Sequence, residues 1–163
     1  MGYYVKTRGI DFTIPKEHLE AACKALKDLN KRDDLKTGGS WGPLRDAEGN
    51  LIYDENGKIK SGQTERWFAW MSADYDKTLH SAEEILKEVG FEVYDNGESG
   101  IELSGYDSKS GQEEHFVAAL APFVREGSYI EWEGEDGELW RQVKVGDQIV
   151  TQSGYITYDE NGE

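Results

Sequence analysis

Hydrophobic and polar positions alternate with two different periods along this chain, and the change of period marks its elements. "GYYVKTRGIDFTIP" (2–15) is rich in Tyr, Val, Ile, Phe and Thr and reads as strand. Pro15 suits the first turn of a helix. "KEHLEAACKALKDLN" follows, with Leu19, Ala22, Cys23, Leu26 and Leu29 at helical spacing and Asn30 at its end. "ERWFAWMS" (65–72) reads as strand again. "DYDKTLHSAEEILKEVG" (74–90) reads as helix, with a stripe of Leu79, Ala82, Ile85, Leu86 and Val89. Ser81 and Glu84 are spaced as a capping box, while Asp74 or Asp76 would cap an earlier start, and Gly90 fits the residue just past the end. "FEVYDNGESGIELSGYD" (91–107) is a hairpin in which Phe91/Val93 and Ile101/Leu103 alternate with polar residues. A third helix, "SGQEEHFVAALAPFVREG" (110–127), turns Phe116, Ala119, Leu120 and Phe123 inward, and Pro122 kinks or ends it. Strands "SYIEWEGE", "ELWRQVKV", "QIVTQS" and "YITYD" close the chain.

Residues 31–64 break this pattern, because glycine and charge dominate there. "NLIYD" and "KIK" on either side of Asn56-Gly57 predict a small hairpin inside a long excursion from the core. Loops of this kind commonly carry binding residues. "YDENG" occurs at 53–57 and again at 158–162 as a polar turn. The predicted architecture is one α+β domain over residues 1–163, with a mostly antiparallel sheet, about three helices on one face, and the excursion at 31–64.

Charge changes the picture. The chain holds 33 Asp+Glu against 18 Lys+Arg, a formal net charge of -15. That field opposes direct binding to nucleic acid or to an anionic membrane surface. It suits a basic partner, although acidity also serves solubility. Cys23 is the only cysteine, so no internal disulfide forms, and it reads as a small core residue. No apolar run approaches the roughly 20 residues of a membrane helix, and no signal peptide is recognisable. A soluble, cytoplasmic protein is expected.

Candidate chemistry is sparse. Aligning Gly57 with the glycine of an EF-hand puts Ile52 and Gln63 where the ion needs carboxylates, which excludes that site. His18, His80 and His115 have no ligand partner three or four residues away. "TGGSWG" lacks the lysine of a phosphate loop, and Ser104 lacks the frame of a nucleophile elbow. No cofactor, metal site or catalytic group is therefore assigned.

The densest stretch is "YIEWEGEDGELWRQV" (129–143), which holds Trp132, Trp140 and five carboxylates. Alternation predicts a hairpin about "GEDGE", with Ile130 and Trp132 buried on one strand and Leu139, Val143 and Val145 on the other. Trp140 then falls on the open face. Aromatic residues ringed by acids suit a protein interface. The candidate contacts are Glu131, Glu133, Glu135, Asp136 and Trp140, with Trp41 from the excursion.

The opening "MGYYV" and the late "GSYIEWEGEDGELWR" resemble small, uncharacterised ferredoxin-like proteins of bacteriophages and prophages. Gly2, Tyr3, Gly134, Glu135, Gly137, Trp140 and Arg141 carry the resemblance, which covers only the two ends of the chain. It implies a ferredoxin-like arrangement, residence in the host cytoplasm, and a non-enzymatic protein that inhibits a nucleic-acid-binding host defence factor of the CRISPR or restriction type. The partner would be that host protein, with no direct nucleic acid contact. A nucleotide-sequestering binder is the alternative, and a carboxylate- or metal-dependent enzyme a further one.

Overall fold

The computed structural model describes residues 2–160. The opening strand-like run is one extended path divided between two sheets. β1 (Tyr4–Asp11) and β2 (Thr13–Ile14) are separated only by Phe12, which is buried. β1 enters a five-stranded sheet ordered β10-β9-β8-β1-β7, built with β7 (Asp107–Lys109), β8 (Tyr129–Gly134), β9 (Leu139–Val145) and β10 (Gln148–Gly154). β2 enters a three-stranded sheet with β5 (Glu92–Asp95) and β6 (Ile101–Gly105). β3 (Gly38–Pro43) and β4 (Ser61–Trp67) pair only with each other. Every strand pairing among the described residues is antiparallel. The protein is α+β with mostly antiparallel sheets, as its patterning predicts.

Four α-helices complete the core. α1 (Leu19–Asp28) buries Ala22 and Leu26, and short 3-10 turns extend it at both ends. The predicted second helix is two. α2 (Tyr75–Thr78) stops at Leu79, and α3 (Ala82–Val89) starts afresh with the Ser81 side chain accepting from Glu84 N–H. Asp74 stands at the start of α2 without a side-chain cap bond, so of the two caps in the sequence only that of Ser81 is made. The Tyr75 hydroxyl donates to the Leu26 carbonyl (2.6 Å), joining α2 to α1. α4 (Glu113–Ala119) gives way to a 3-10 turn through Pro122, which cannot continue an α-helix. The apolar stripes meet Val5, Phe12, Ile14, Ile101, Leu103, Ile130 and Trp132 in one cluster of buried residues.

The excursion is ordered as a ribbon. Strand pairing runs Gly38↔Trp67 to Pro43↔Ser61, and the segment between holds two tight turns with the same geometry. In "RDAEGNLI" (45–52), Asp46 Oδ1 accepts from the backbone of Glu48 and Asn50; in "YDENGKIK" (53–60), Asp54 Oδ1 accepts from Asn56 and Lys58. Gly49 and Gly57 take positive φ (86° and 77°), the left-handed conformation such a turn needs in its fourth position. The predicted Asn56-Gly57 hairpin exists, but its turn begins at Asp54 rather than being centred on Asn56-Gly57. Leu44, Ile52 and Lys60, eight residues apart, close a ring of backbone bonds: Leu44 N–H to Lys60, Ile52 N–H to Leu44, and Lys60 N–H to Ile52. Three hairpin arms therefore meet about one point. The second "YDENG" includes Asn161 and Gly162, which lie outside the described residues.

Gln112 fastens the root of this ribbon to the core. It is buried, its Oε1 accepts from Thr37 N–H (3.1 Å), Thr37 Oγ1 (3.0 Å) and Ala69 N–H (3.1 Å), and its Nε2 donates to the Leu35 carbonyl. Lys36, also buried, reaches the Asn30 carbonyl and Asp33 (both 2.7 Å) beneath the Phe68 ring. Replacing Gln112 by Ala strands three backbone groups and should cost about 2–4 kcal/mol. Urea unfolding measures that loss, and faster amide exchange in residues 35–69 than in β8 locates it.

Candidate functional site

The late hairpin forms as patterned, but β9 presents the opposite face to the core. Trp132 and Trp140 are directly opposed across β8 and β9, so both lie on the buried side. Their rings stack with centroids 6.2 Å apart and planes 10° apart. Trp132 is 1% exposed and also meets Phe91 and Tyr106 edge-on. A buried indole N–H needs an acceptor. Gln142 supplies it: Trp132 Nε1 donates to Gln142 Oε1 at 2.8 Å. Lys144, on the same face of β9, donates from Nζ to the Val124 carbonyl. Leu139, Val143 and Val145 therefore line the outer face, reversing the expected assignment. Trp140 is half-buried against the core rather than on an open face. The polar residues Gln142 and Lys144 hid this from the alternation pattern.

Two of the four candidate carboxylates, Glu133 and Asp136, have side-chain partners within the chain. Glu133 lies 3.3 Å from Lys6 Nζ. Glu131 stands opposite Arg141 in the strand register, but the Arg141 guanidinium is held by Gln152 Oε1 at 3.0 and 2.6 Å instead. Asp136 accepts from Glu138 N–H (3.1 Å) and from the Tyr3 hydroxyl. Tyr3 also lies where any side chain at Gly134 would collide with its ring, and Glu135 N–H donates to the Tyr4 carbonyl at 2.9 Å. Residues from both ends of the chain that carry the sequence resemblance thus meet at the hairpin tip. Glu135 and Glu138 are exposed there.

Trp41 stands apart from this group. It is on β3 beside a register shift between Ser40 and Trp41, in the separate two-stranded sheet, and it is 73% exposed. Tyr53 (56%) and Ile59 (47%) are the other large exposed apolar residues of the ribbon. A second aromatic, Trp70, which the sequence places outside the core pattern, follows β4, is exposed, and is the one non-glycine described residue at positive φ (71°). Gly111 makes room for its indole. Nothing in the sequence at 70 signals that backbone conformation.

A groove of about 620 Å³ lies between α1 and the start of α3, near Cys23 and His80. Burial raises the Cys23 thiol pKa above its ordinary value, which disfavours a thiolate. Two lysines, Lys24 and Lys27, face four carboxylates (Glu20, Asp28, Glu83 and Asp95) around the groove, and Lys24 is already held by Asp28 at 2.6 Å. That balance does not favour a phosphorylated nucleotide. Among the described residues no three His, Cys, Asp or Glu side chains converge as metal ligands, and no helix is long and apolar enough to cross a membrane.

The Tyr3–Asp136 bond has a measurable signature. The hydroxyl of Tyr3, by donating to Asp136, holds that carboxyl below its ordinary range, and the same bond raises Tyr3 to about 12. The carboxylate contribution to stability is complete above the ordinary Asp pKa and disappears as pH falls through the depressed one. The tyrosine contribution is complete below the ordinary Tyr pKa and disappears as pH rises towards the raised value. Tyr3→Phe should return the Asp136 carboxyl towards its ordinary titration, read by carbon NMR of the side chain. Trp140→Ala, by unstacking Trp132, should cost about 1–3 kcal/mol and shift the tryptophan fluorescence; an unchanged melting temperature would place Trp140 outside the core. Comparison of the chain with protein-family models, curated proteins and solved structures finds no match.

Proposed function

We propose that this protein is a non-enzymatic, phage-type binding protein that occludes a basic, nucleic-acid-binding host factor of the defence type. The observation that carries the reading is Trp41: a tryptophan 73% exposed, in a chain of net charge -15, on a ribbon fastened to the core only at its root by residues such as Gln112. Tryptophan is enriched among residues that dominate binding energy, and a large apolar ring is held in water at a cost that a partner removes. The negative field steers a basic partner towards the protein and raises the rate of encounter. Glu131, Glu133, Glu135 and Asp136 then act mainly through this field, since Glu133 and Asp136 are already engaged by Lys6 and Tyr3. Trp140 supports the hairpin from inside.

Capture from a host lysate, followed by titration with the recovered protein, tests the reading. Trp41→Ala should weaken binding by about 2 kcal/mol, roughly thirty-fold in Kd, without lowering the melting temperature. Glu135→Lys should slow association and flatten its salt dependence. Full affinity in both variants, or recovery of no basic protein, overturns it.

A further inference from the structure

β10 is an edge strand whose sequence lacks the devices that keep edges from pairing, although α4 and the turn after it approach its start. It carries no Lys, no Pro and no bulge, and its register with β9 is unbroken from Gln148↔Val145 to Gly154↔Leu139. From Gln148 to Tyr158 the chain has no charged side chain, its longest such run, although charged residues make up 31% of the sequence. Every residue from Thr151 to Tyr158 is exposed, including Tyr155 (83%), Ile156 (54%) and Tyr158 (88%).

The free backbone groups can be assigned. Lys144 exchanges backbone hydrogen bonds with Gly127 and Ser128, on the side of β9 away from β10. The Lys144↔Ile149 pair is therefore the non-bonded kind, and Ile149, Thr151 and Ser153 direct their N–H and C=O groups outward. No hydrogen-bond partner for these backbone groups is found among the described residues.

We infer that β10 is the contact through which two copies of this chain associate, antiparallel and edge to edge, about a two-fold axis at Thr151. Ile149 then faces the partner's Ser153, Thr151 faces the partner's Thr151, and two five-stranded sheets become one. Charge selects this occupant. Two copies each carrying -15 repel wherever their acidic surfaces approach, and the charge-free strip is where they meet with least repulsion. A basic partner has no such requirement, because the carboxylates attract it. The contact is isologous and closes on itself. It is independent of Trp41 and of the function proposed above.

Sedimentation of the full chain across micromolar to near-millimolar concentration tests the inference. The mass should rise from 18.4 kDa towards twice that value, at lower concentration in higher salt, where repulsion is screened. Amides of Ile149, Thr151 and Ser153 should become protected from exchange as the dimer forms. Thr151→Pro removes the central donor and should hold the protein at monomer mass; Ser153→Glu, which leaves the backbone free to fold, should do the same through like charge. A monomer at every concentration and salt, or a dimer untouched by Ser153→Glu, overturns it.

Discussion

Burial of Trp132 is the constraint from which the rest of the sheet follows. A large ring enters the core only if its N–H finds an acceptor, and only if flat neighbours fill the space around it. Phe91 and Tyr106 bring in the β5–β6 sheet and the chain just after it; Trp140 brings in β9; Gln142 provides the acceptor. Because residues two apart on a strand share a face, placing Gln142 inward places Trp140 inward as well. The outer face of the hairpin is then left to Glu131, Glu133 and Arg141 together with Leu139, Val143 and Val145. One hydrogen bond thus decides which side chains of this densest stretch meet solvent.

A second constraint separates the core from the ribbon. The extended run from Tyr4 to Ile14 is shared by two sheets, so the aromatic cluster and the helices form one body around it. The ribbon shares no sheet with that body. It depends on Gln112 and Lys36, two buried polar side chains whose partners are almost all backbone groups near the ribbon's root. Gln112 and Lys36 are hydrogen-bonded in directions that only these neighbours supply, so this root is specific rather than adhesive. The ring of bonds among Leu44, Ile52 and Lys60 then keeps the distal part ordered without a core of its own.

Helix stripes and hairpins were legible because their apolar periods are clean: Leu26, Ile85 and Leu86 are fully buried where the pattern put them. The inner face of β9 was not legible, because its inward residues are Trp, Gln and Lys, a set that reads as outward unless the Trp132 N–H and the Val124 carbonyl are known to need partners. The turns at Asp46 and Asp54 were visible in part. Their equivalence rests on eight-residue spacing with different residues at most positions, so a reading by identity finds only "YDENG". Of the candidate site, Trp41 was legible as an aromatic in a glycine-rich loop. That Glu133 and Asp136 are held by Lys6 and Tyr3 was not, since those partners lie more than a hundred residues away.

The distribution of charge joins these features. A chain this acidic cannot place all its carboxylates in ion pairs, and exposed pairs contribute little to stability in any case. The unpaired negative charge is a cost to the compact state. It persists here beside one strip that carries none of it, the outer edge at Gln148–Tyr158, and around the exposed rings of Trp41, Tyr53 and Ile59 on the charged ribbon. Charge spread evenly for solubility would have covered the edge, since a single lysine protects an edge strand. The exposure of strip and rings within a repulsive field restricts what can approach: a basic surface at the ribbon, and at the edge a strand that brings no charge of its own.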